Sequence, residues 1–284
     1  MMAVKEIIDF AHFSSRLAPR KRETNKGSFG HVLIIGGALG TMGSVILSAM
    51  AALRCGAGLV SIATCNAHCV SISAHYPELM VHGVDDPNEL ISLLAKASVI
   101  VIGPGLGQSL WSQQLVTLVL NTAKPLVVDA DALNLLAQAP RACEQWILTS
   151  HPGEAARLLA CTISAIQCRR PQSVQQLQRR YGGVVVLKGA GTLVATAASL
   201  SICQQGNPGM ATAGMGDVLS GVIGALLAQG FDLKSAAQCG VCLHAMAGDL
   251  AATALGQRGL IASDLWLYLH QLVNVSSLID TANV

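Results

Sequence analysis

Lys26-Gly27-Ser28-Phe29-Gly30-His31-Val32-Leu33-Ile34-Ile35-Gly36-Gly37-Ala38-Leu39-Gly40-Thr41-Met42-Gly43 reads as a strand, a glycine turn and the start of a helix. His31 to Ile35 is a short apolar run rich in β-branched residues and closed by glycines. Such a run predicts a buried strand of a parallel sheet. The small residues that follow predict a helix from Ser44 to Cys55. The turn between them has the spacing G-x-x-G-x-x-G, whereas a dinucleotide fingerprint has G-x-G-x-x-G and an acid at the end of the next strand. The next strand, Leu59 to Thr64, ends without that acid. The turn therefore fits a substrate-facing loop better, with tight helix–strand packing as the plain alternative.

The same alternation continues along the chain. Strands are expected at Leu79–Val84, Ser98–Gly103, Pro125–Asp129, Trp146–Ser150 and Val184–Leu187. Helices are expected at Asn88–Lys96, Ser109–Thr122, Gln172–Arg180, Val218–Ala228, Phe231–Leu255 and Ser263–Val273. Strands alternating with helices define an α/β domain with a mostly parallel sheet. Residues 1–26, with an amphipathic piece from Val4 to Leu17 and a polar run from Arg20 to Lys26, read as a lead-in segment. Residues 27–284 read as one domain.

Composition narrows the function. A net charge of +2 is too small to argue for nucleic acid or an anionic membrane surface. Apolar residues make up 52% and charged residues only 12%, so some apolar surface is expected to be buried between subunits. The most apolar stretches, Val218–Ala228 and Ala236–Leu255, are interrupted by glycines, and the second carries His244 and Asp249. Neither gives the run of roughly 20 apolar residues that a spanning helix needs. The first 26 residues lack a long apolar core flanked as in a signal peptide, and a cytoplasmic protein is expected. Nine scattered cysteines do not form a disulfide framework, and no second paired set completes a zinc site.

The second informative stretch is Gly206-Asn207-Pro208-Gly209-Met210-Ala211-Thr212-Ala213-Gly214-Met215-Gly216-Asp217-Val218-Leu219-Ser220-Gly221. Its glycines allow positive φ and close backbone approach, and the helix that follows presents free N–H groups to an anion. Asp217, at the start of that helix, is a dipole partner at minimum and a base beside phosphate at most.

Other turns fall where strands of a parallel sheet end, the edge at which ligands bind. Gly103-Pro104-Gly105-Leu106-Gly107 is one. Another strand delivers Asp129 and Asp131 to this edge, where acids hold Mg²⁺ through water or cap the next helix, and Asp131 either caps that helix or contacts a ligand. His151-Pro152-Gly153-Glu154 opens a further helix. There His151 has a hydrogen bond to offer a substrate, and Glu154 is either a dipole partner or within reach of a hydrated metal. Lys188, in the hairpin-like stretch Val184 to Val194, points at phosphate or snorkels from a strand end.

Taken in order, K-G-S-F-G-H-V-L-I-I-G-G, G-P-G-L-G, D-A-D-A-L-N, H-P-G-E-A-A-R-L-L, V-V-L-K-G-A-G-T, G-M-G-D-V-L-S-G and L-H-A-M-A-G-D resemble the ADP/ATP-dependent NAD(P)H-hydrate dehydratases, a branch of the ribokinase-like superfamily. The resemblance runs from Lys26 to about Leu265. It implies a three-layer α/β/α sandwich with a mostly parallel central sheet, and repair of hydrated NADH or NADPH with ADP or ATP as phosphoryl donor and Mg²⁺. By the same resemblance Asp217 acts on the substrate hydroxyl. Lys188, Gly189, Ala190, Gly191, Thr192, Gly214 and Gly216 lie against the nucleotide, and Ser44, Gly105, Gly107 and His151 contact the hydrated dinucleotide. Glu154 would hold Mg²⁺ through water, with Asn207, Asp131 and Asn134 as further candidates. Ser44 and Ser150 depart from the alanine and proline usual there.

Family members are often tetramers or larger, and many are fused to an epimerase domain. Only 25 residues precede the first motif, so an epimerase is expected as a separate protein or outside this sequence. Two other readings use the same residues: a ribokinase-like kinase acting on a vitamin precursor, and a nucleotide-binding regulator without turnover. The asparagine that such kinases carry is His151 here, which favours the dehydratase. A pure binder would gain nothing from an acid beside phosphate.

Overall fold

The computed structural model describes residues 5–274. Ten strands form one sheet: β1 (Lys5–Ile7), β2 (His31–Ile35), β3 (Leu59–Thr64), β4 (Met80–Gly83), β5 (Val99–Ile102), β6 (Leu126–Asp129), β7 (Trp146–Ser150), β8 (Val184–Leu187), β9 (Thr192–Ala195) and β10 (Leu200–Cys203). Their spatial order is β1-β10-β9-β8-β7-β6-β5-β2-β3-β4. All neighbours run parallel except β8–β9 and β9–β10, so β9 alone runs against the rest.

The strand side chains alternate between two apolar clusters. On β2, Val32 and Ile34 enter one cluster while Leu33 and Ile35 enter the other. The first cluster is covered by helices α1 (Met42–Arg54) and α2 (Cys69–His75), and the second by α3 (Leu90–Lys96), α4 (Leu110–Leu120), α5 (Ala130–Gln138), α6 (Pro152–Leu159), α7 (Ile163–Cys168) and α8 (Arg170–Tyr181). The last three helices, α9 (Met215–Ala228), α10 (Leu233–Leu255) and α11 (Leu265–Leu272), return to the first face. Three layers result, because a sheet apolar on both faces needs helices on both. This is the α/β/α sandwich the sequence predicted. Gly221 lets α9 lie against α1: a Cβ there would stand 2.0 Å from the Ser48 carbonyl oxygen.

Part of the segment before Lys26 joins the sheet. Lys5–Ile7 pairs with Leu200–Ile202, an edge strand that the reading of a lead-in segment did not foresee. Arg16 reaches Asp232 at 3.2 Å and stacks over Phe231, and Arg20 stacks over Phe29. Among the described residues no helix is long and apolar enough to cross a membrane. All nine cysteines are free thiols.

Candidate active site

The strands deliver their turns to one carboxyl edge. The turns after β2 and β5 dock on each other: Gly37 N donates to Pro104 O at 2.9 Å, Ala38 N to Gly105 O at 2.7 Å, and Thr41 Oγ1 to Gly105 O at 2.6 Å. Gly36 is required by this contact, since a Cβ would lie 2.0 Å from the Pro104 oxygen. Gly105, at φ +56°, would bring a Cβ to 3.0 Å from that of Ser44, so the expected substrate contacts Ser44 and Gly105 are neighbours. Gly107 N donates to Asp131 Oδ2 at 2.8 Å.

That bond gives the Asp131 carboxylate a backbone partner in the neighbouring turn. The residue lies inside the first turn of α5, whose N-terminal flank is Asp129, and its carboxylate holds the Gly103–Gly107 turn. Asn134 leans on Asp131 Oδ1 at 3.4 Å and accepts from Arg157 at 3.0 Å. Asn207 likewise acts locally, accepting from Gly209 N and donating to Asp249, which also accepts from Gly206 N.

His151 and Glu154 form a reciprocal cap at the start of α6. His151 Nδ1 accepts from Gly153 N at 2.9 Å, and Glu154 Oε2 accepts from His151 N at 2.7 Å. The acceptor role of Nδ1 places the ring proton on Nε2, 3.1 Å from Glu154 Oε1. Half of the His151 side chain remains exposed.

Lys188 is the centre of the charge pattern. Its ammonium lies 2.8 Å from Asp129 Oδ1 and 3.8 Å from Glu154 Oε2. Burial alone would pull its pKa down, but the two carboxylates hold it above its ordinary value. Burial pushes Glu154 up, yet Lys188 and His151 together hold it below the usual range. Asp129 is raised, by burial first and by Glu154 besides, against the pull of Lys188. Its second oxygen, Oδ2, is buried without a hydrogen-bond partner.

Asp217 stands in the first turn of α9, after Gly214 in the left-handed region. Its carboxyl is pushed up to about 7, chiefly by burial and next by the Asp129 charge; the Ser44 hydroxyl and Lys188 act the other way. A carboxyl titrating near neutrality inside a cleft is suited to proton transfer. Gly216 brings the helix end against Lys188, for a Cβ there would sit 3.1 Å from Nζ. Gly214 also has a packing reason, with Leu47 2.4 Å from its would-be Cβ.

Two hollows meet at this point. A cleft of about 400 Å³ is lined by His151, Glu154, Lys188, Gly214, Gly216 and Asp217 among others. A pocket of about 500 Å³ lies under the β8–β9 hairpin, between Lys188–Thr192, Gln204–Pro208 and His244 on α10. They share Lys188, Gly189 and Gly216. A hollow of about 560 Å³ near Pro125, Val184 and Phe231 contains none of the predicted site residues.

Sequence reading brought Asp129 to this edge as one of two acids but did not foresee its pair with Lys188, although an acid ending one buried strand and a lysine ending another were a usable signal. It also gave no role to His244. Burial pushes that ring down to about 4, and its Nε2 has no partner.

Among the described residues no cluster of three or more His, Cys, Asp or Glu side chains is arranged as a metal cage. Mg²⁺ is usually held by one or two carboxylates together with phosphates and water, so the donor set fits such an ion. Glu154 already carries the α6 cap on its oxygens, which suits contact through water better than a direct bond.

The mostly parallel sandwich, its antiparallel β8–β9–β10 stretch and the acid at the glycine-led helix define a ribokinase-like protein. A ribokinase-like superfamily protein of Enterococcus faecalis superposes with TM-score 0.87, at 29% identity and 96% coverage of both chains.

Residues 32–270 match the family described as NAD(P)H-hydrate dehydratase, and the chain belongs to that family. It is 38% identical to the ADP-dependent (S)-NAD(P)H-hydrate dehydratase of Neisseria meningitidis, over 87% of this chain and 86% of that one. It is 52% identical to the bifunctional NAD(P)H-hydrate repair enzyme of Coxiella burnetii, over 91% of this chain and 53% of the relative. The chain thus spans about half the length of the bifunctional relatives it matches. The ADP/ATP-dependent NAD(P)H-hydrate dehydratase of Bacillus subtilis, co-crystallised with ATP/Mg²⁺, superposes with TM-score 0.87 at 28% identity, covering 96% of this chain and 99% of that one.

Proposed function

We propose that this chain dehydrates the S form of hydrated NADH or NADPH, with ADP or ATP as phosphoryl donor. The observation that carries the reading is the position of Asp217. It lies at the helix end facing Lys188, in the cleft that opens into the hairpin pocket, and its carboxyl is pushed up to about 7. The nucleotide occupies the hairpin pocket along Lys188, Gly189, Ala190, Gly191 and Thr192, with its reacting phosphate at Gly214 and Gly216. The hydrated ring enters from the side of Ser44, Gly105, Gly107 and His151.

The hydrate carries a hydroxyl on the carbon beside the ring nitrogen, and hydroxide is a poor leaving group. Asp217 takes the hydroxyl proton while the oxygen attacks the terminal phosphorus of the donor, releasing AMP from ADP or ADP from ATP. The free amides of the α9 start and Lys188 offset the charge that develops on the phosphoryl oxygens. The nitrogen lone pair then expels inorganic phosphate, and loss of a proton from the neighbouring carbon restores the double bond. Mg²⁺, when bound, supplies charge neutralisation between phosphates. Glu154 is the residue that would hold it, through water.

Residues 27–284 are assigned to this dehydratase unit, with 1–26 as its lead-in. We place the protein in the cytoplasm as a homo-oligomer, and assign the interconversion of hydrate epimers to an epimerase on another domain or protein.

The test is to supply hydrated NADH with ADP or ATP and follow the dihydronicotinamide absorbance together with released phosphate. Recovery of absorbance with stoichiometric phosphate supports the reading. Persistence of the hydrate, with phosphate transferred to a vitamin alcohol, would assign the chain to the kinases instead.

A further inference from the structure

Arg170 lies outside both hollows, at the start of α8, where the sequence reading began its helix only at Gln172. Its guanidinium reaches three backbone carbonyls, one at the end of β8 and two in the turn that leads to β9. Nη1 is 3.3 Å from Lys188 O, and Nη2 is 3.2 Å from Leu187 O and 3.3 Å from Gly191 O. Gln167 Oε1, 3.3 Å from Nη1, steadies the group from the other side.

The peptide unit turns this clamp into an orienting device. In a planar trans peptide, the carbonyl of one residue and the N–H of the next point in opposite directions. Fixing Lys188 O therefore fixes the Gly189 N–H facing away from Arg170. Among the described residues, the amides of Gly189, Ala190 and Gly191 donate to no protein acceptor. These residues line the 500 Å³ pocket. Gly189 itself is at φ +134°, which favours glycine, and a Cβ there would stand 3.0 Å from Arg170 Nη1, so any other residue would push on the guanidinium.

We infer that Arg170 is a positioning residue for the nucleotide: by holding the carbonyls of the Leu187–Gly191 turn from behind, it presents that turn's unpaired amides to the phosphates. The inference rests on the nucleotide reading of the hairpin pocket. The ligand class is a nucleoside di- or triphosphate, whose anionic oxygens accept from backbone N–H groups at short range. Arg170 touches no reacting atom, so its loss acts on nucleotide affinity and leaves chemistry at saturation in place. Lysine carries the same charge but no fork able to span three carbonyls, and restores only part of the effect.

The experiment uses the full chain with Arg170→Ala and Arg170→Lys, each checked for folding by its thermal transition without ligand. Calorimetric titration with ADP alone gives Kd, and steady-state assays give kcat and the nucleotide KM. The Ala variant is expected to raise Kd and KM about 10- to 100-fold, with the Lys variant between it and wild type and kcat at saturating nucleotide within about 3-fold. A folded Ala variant that binds ADP as wild type does overturns the inference. If the Ala variant does not fold, wild-type Kd in Arg170→Lys overturns it equally. Wild-type protein that binds no ADP would instead fail the nucleotide reading itself, and the inference with it.

Discussion

Lys188 at the end of β8 and Asp129 at the end of β6 meet in a buried ion pair, Nζ to Oδ1 at 2.8 Å, although 59 positions separate them in the chain. The pair sits under the first turn of α9, and its acid reaches Asp217 electrostatically. Removing one partner of such a pair strands the other charge, which is the costly outcome.

Asp129→Ala is expected to lower unfolding free energy by about 3–5 kcal/mol, measured by denaturant titration. Asp129→Asn keeps the shape and removes the charge. Since the Asp129 charge raises Asp217, the acid limb of kcat/KM in the Asn variant should move to lower pH. An unmoved limb would separate Asp129 from the titration of Asp217.

Ser44→Ala should move the same limb the other way. The Ser44 hydroxyl favours the ionised form of Asp217, so its loss leaves burial less opposed and the carboxyl higher. A pH–rate profile compared with wild type reads the sign directly.

Asp217→Asn is expected to fold and bind nucleotide while turnover falls at least about 10²-fold, the scale of a lost general base. Near-normal turnover would remove Asp217 from that role.

The same variant should change how stability depends on pH. Folded Asp217 titrates near 7 against an ordinary 3.8, so between these values the folded chain binds more protons than the unfolded one. Its contribution is fully present below about pH 4 and is lost as pH rises through 7. Relative to wild type, Asp217→Asn should therefore gain stability from pH 4 to pH 8. Parallel thermal transitions at the two pH values would count against the raised carboxyl.

Gly216→Ala separates stability from function. Alanine favours a helix by roughly 1 kcal/mol over glycine, so the fold should not suffer from propensity. The new Cβ would press on Lys188 Nζ at 3.1 Å, and turnover should fall in an assay at saturating nucleotide.

Much of this was legible in the chain. Strand β3 is legible at Leu59–Thr64 as observed, and β2, β6 and β7 lie within runs that read as strands, because buried parallel strands are short apolar runs closed by glycine or acid. The edge strand Lys5–Ile7 was not legible, since its pairing with Leu200–Ile202 depends on residues far along the chain and not on local pattern. Helix α7 was missed in a six-residue polar-apolar segment too short to show a period.

The sequence by itself determined the layered α/β fold, the family and the turns that carry glycine or acid at strand ends. Those features are local: periodicity, backbone freedom and residue order along the chain suffice for them. Only the tertiary structure decided which charges face one another. It set Asp129 against Lys188, gave Asp131 to the Gly107 amide, and spent the oxygens of Glu154 on the α6 cap. Such pairings depend on sheet order and on how far side chains reach across it, and the linear order of residues carries neither.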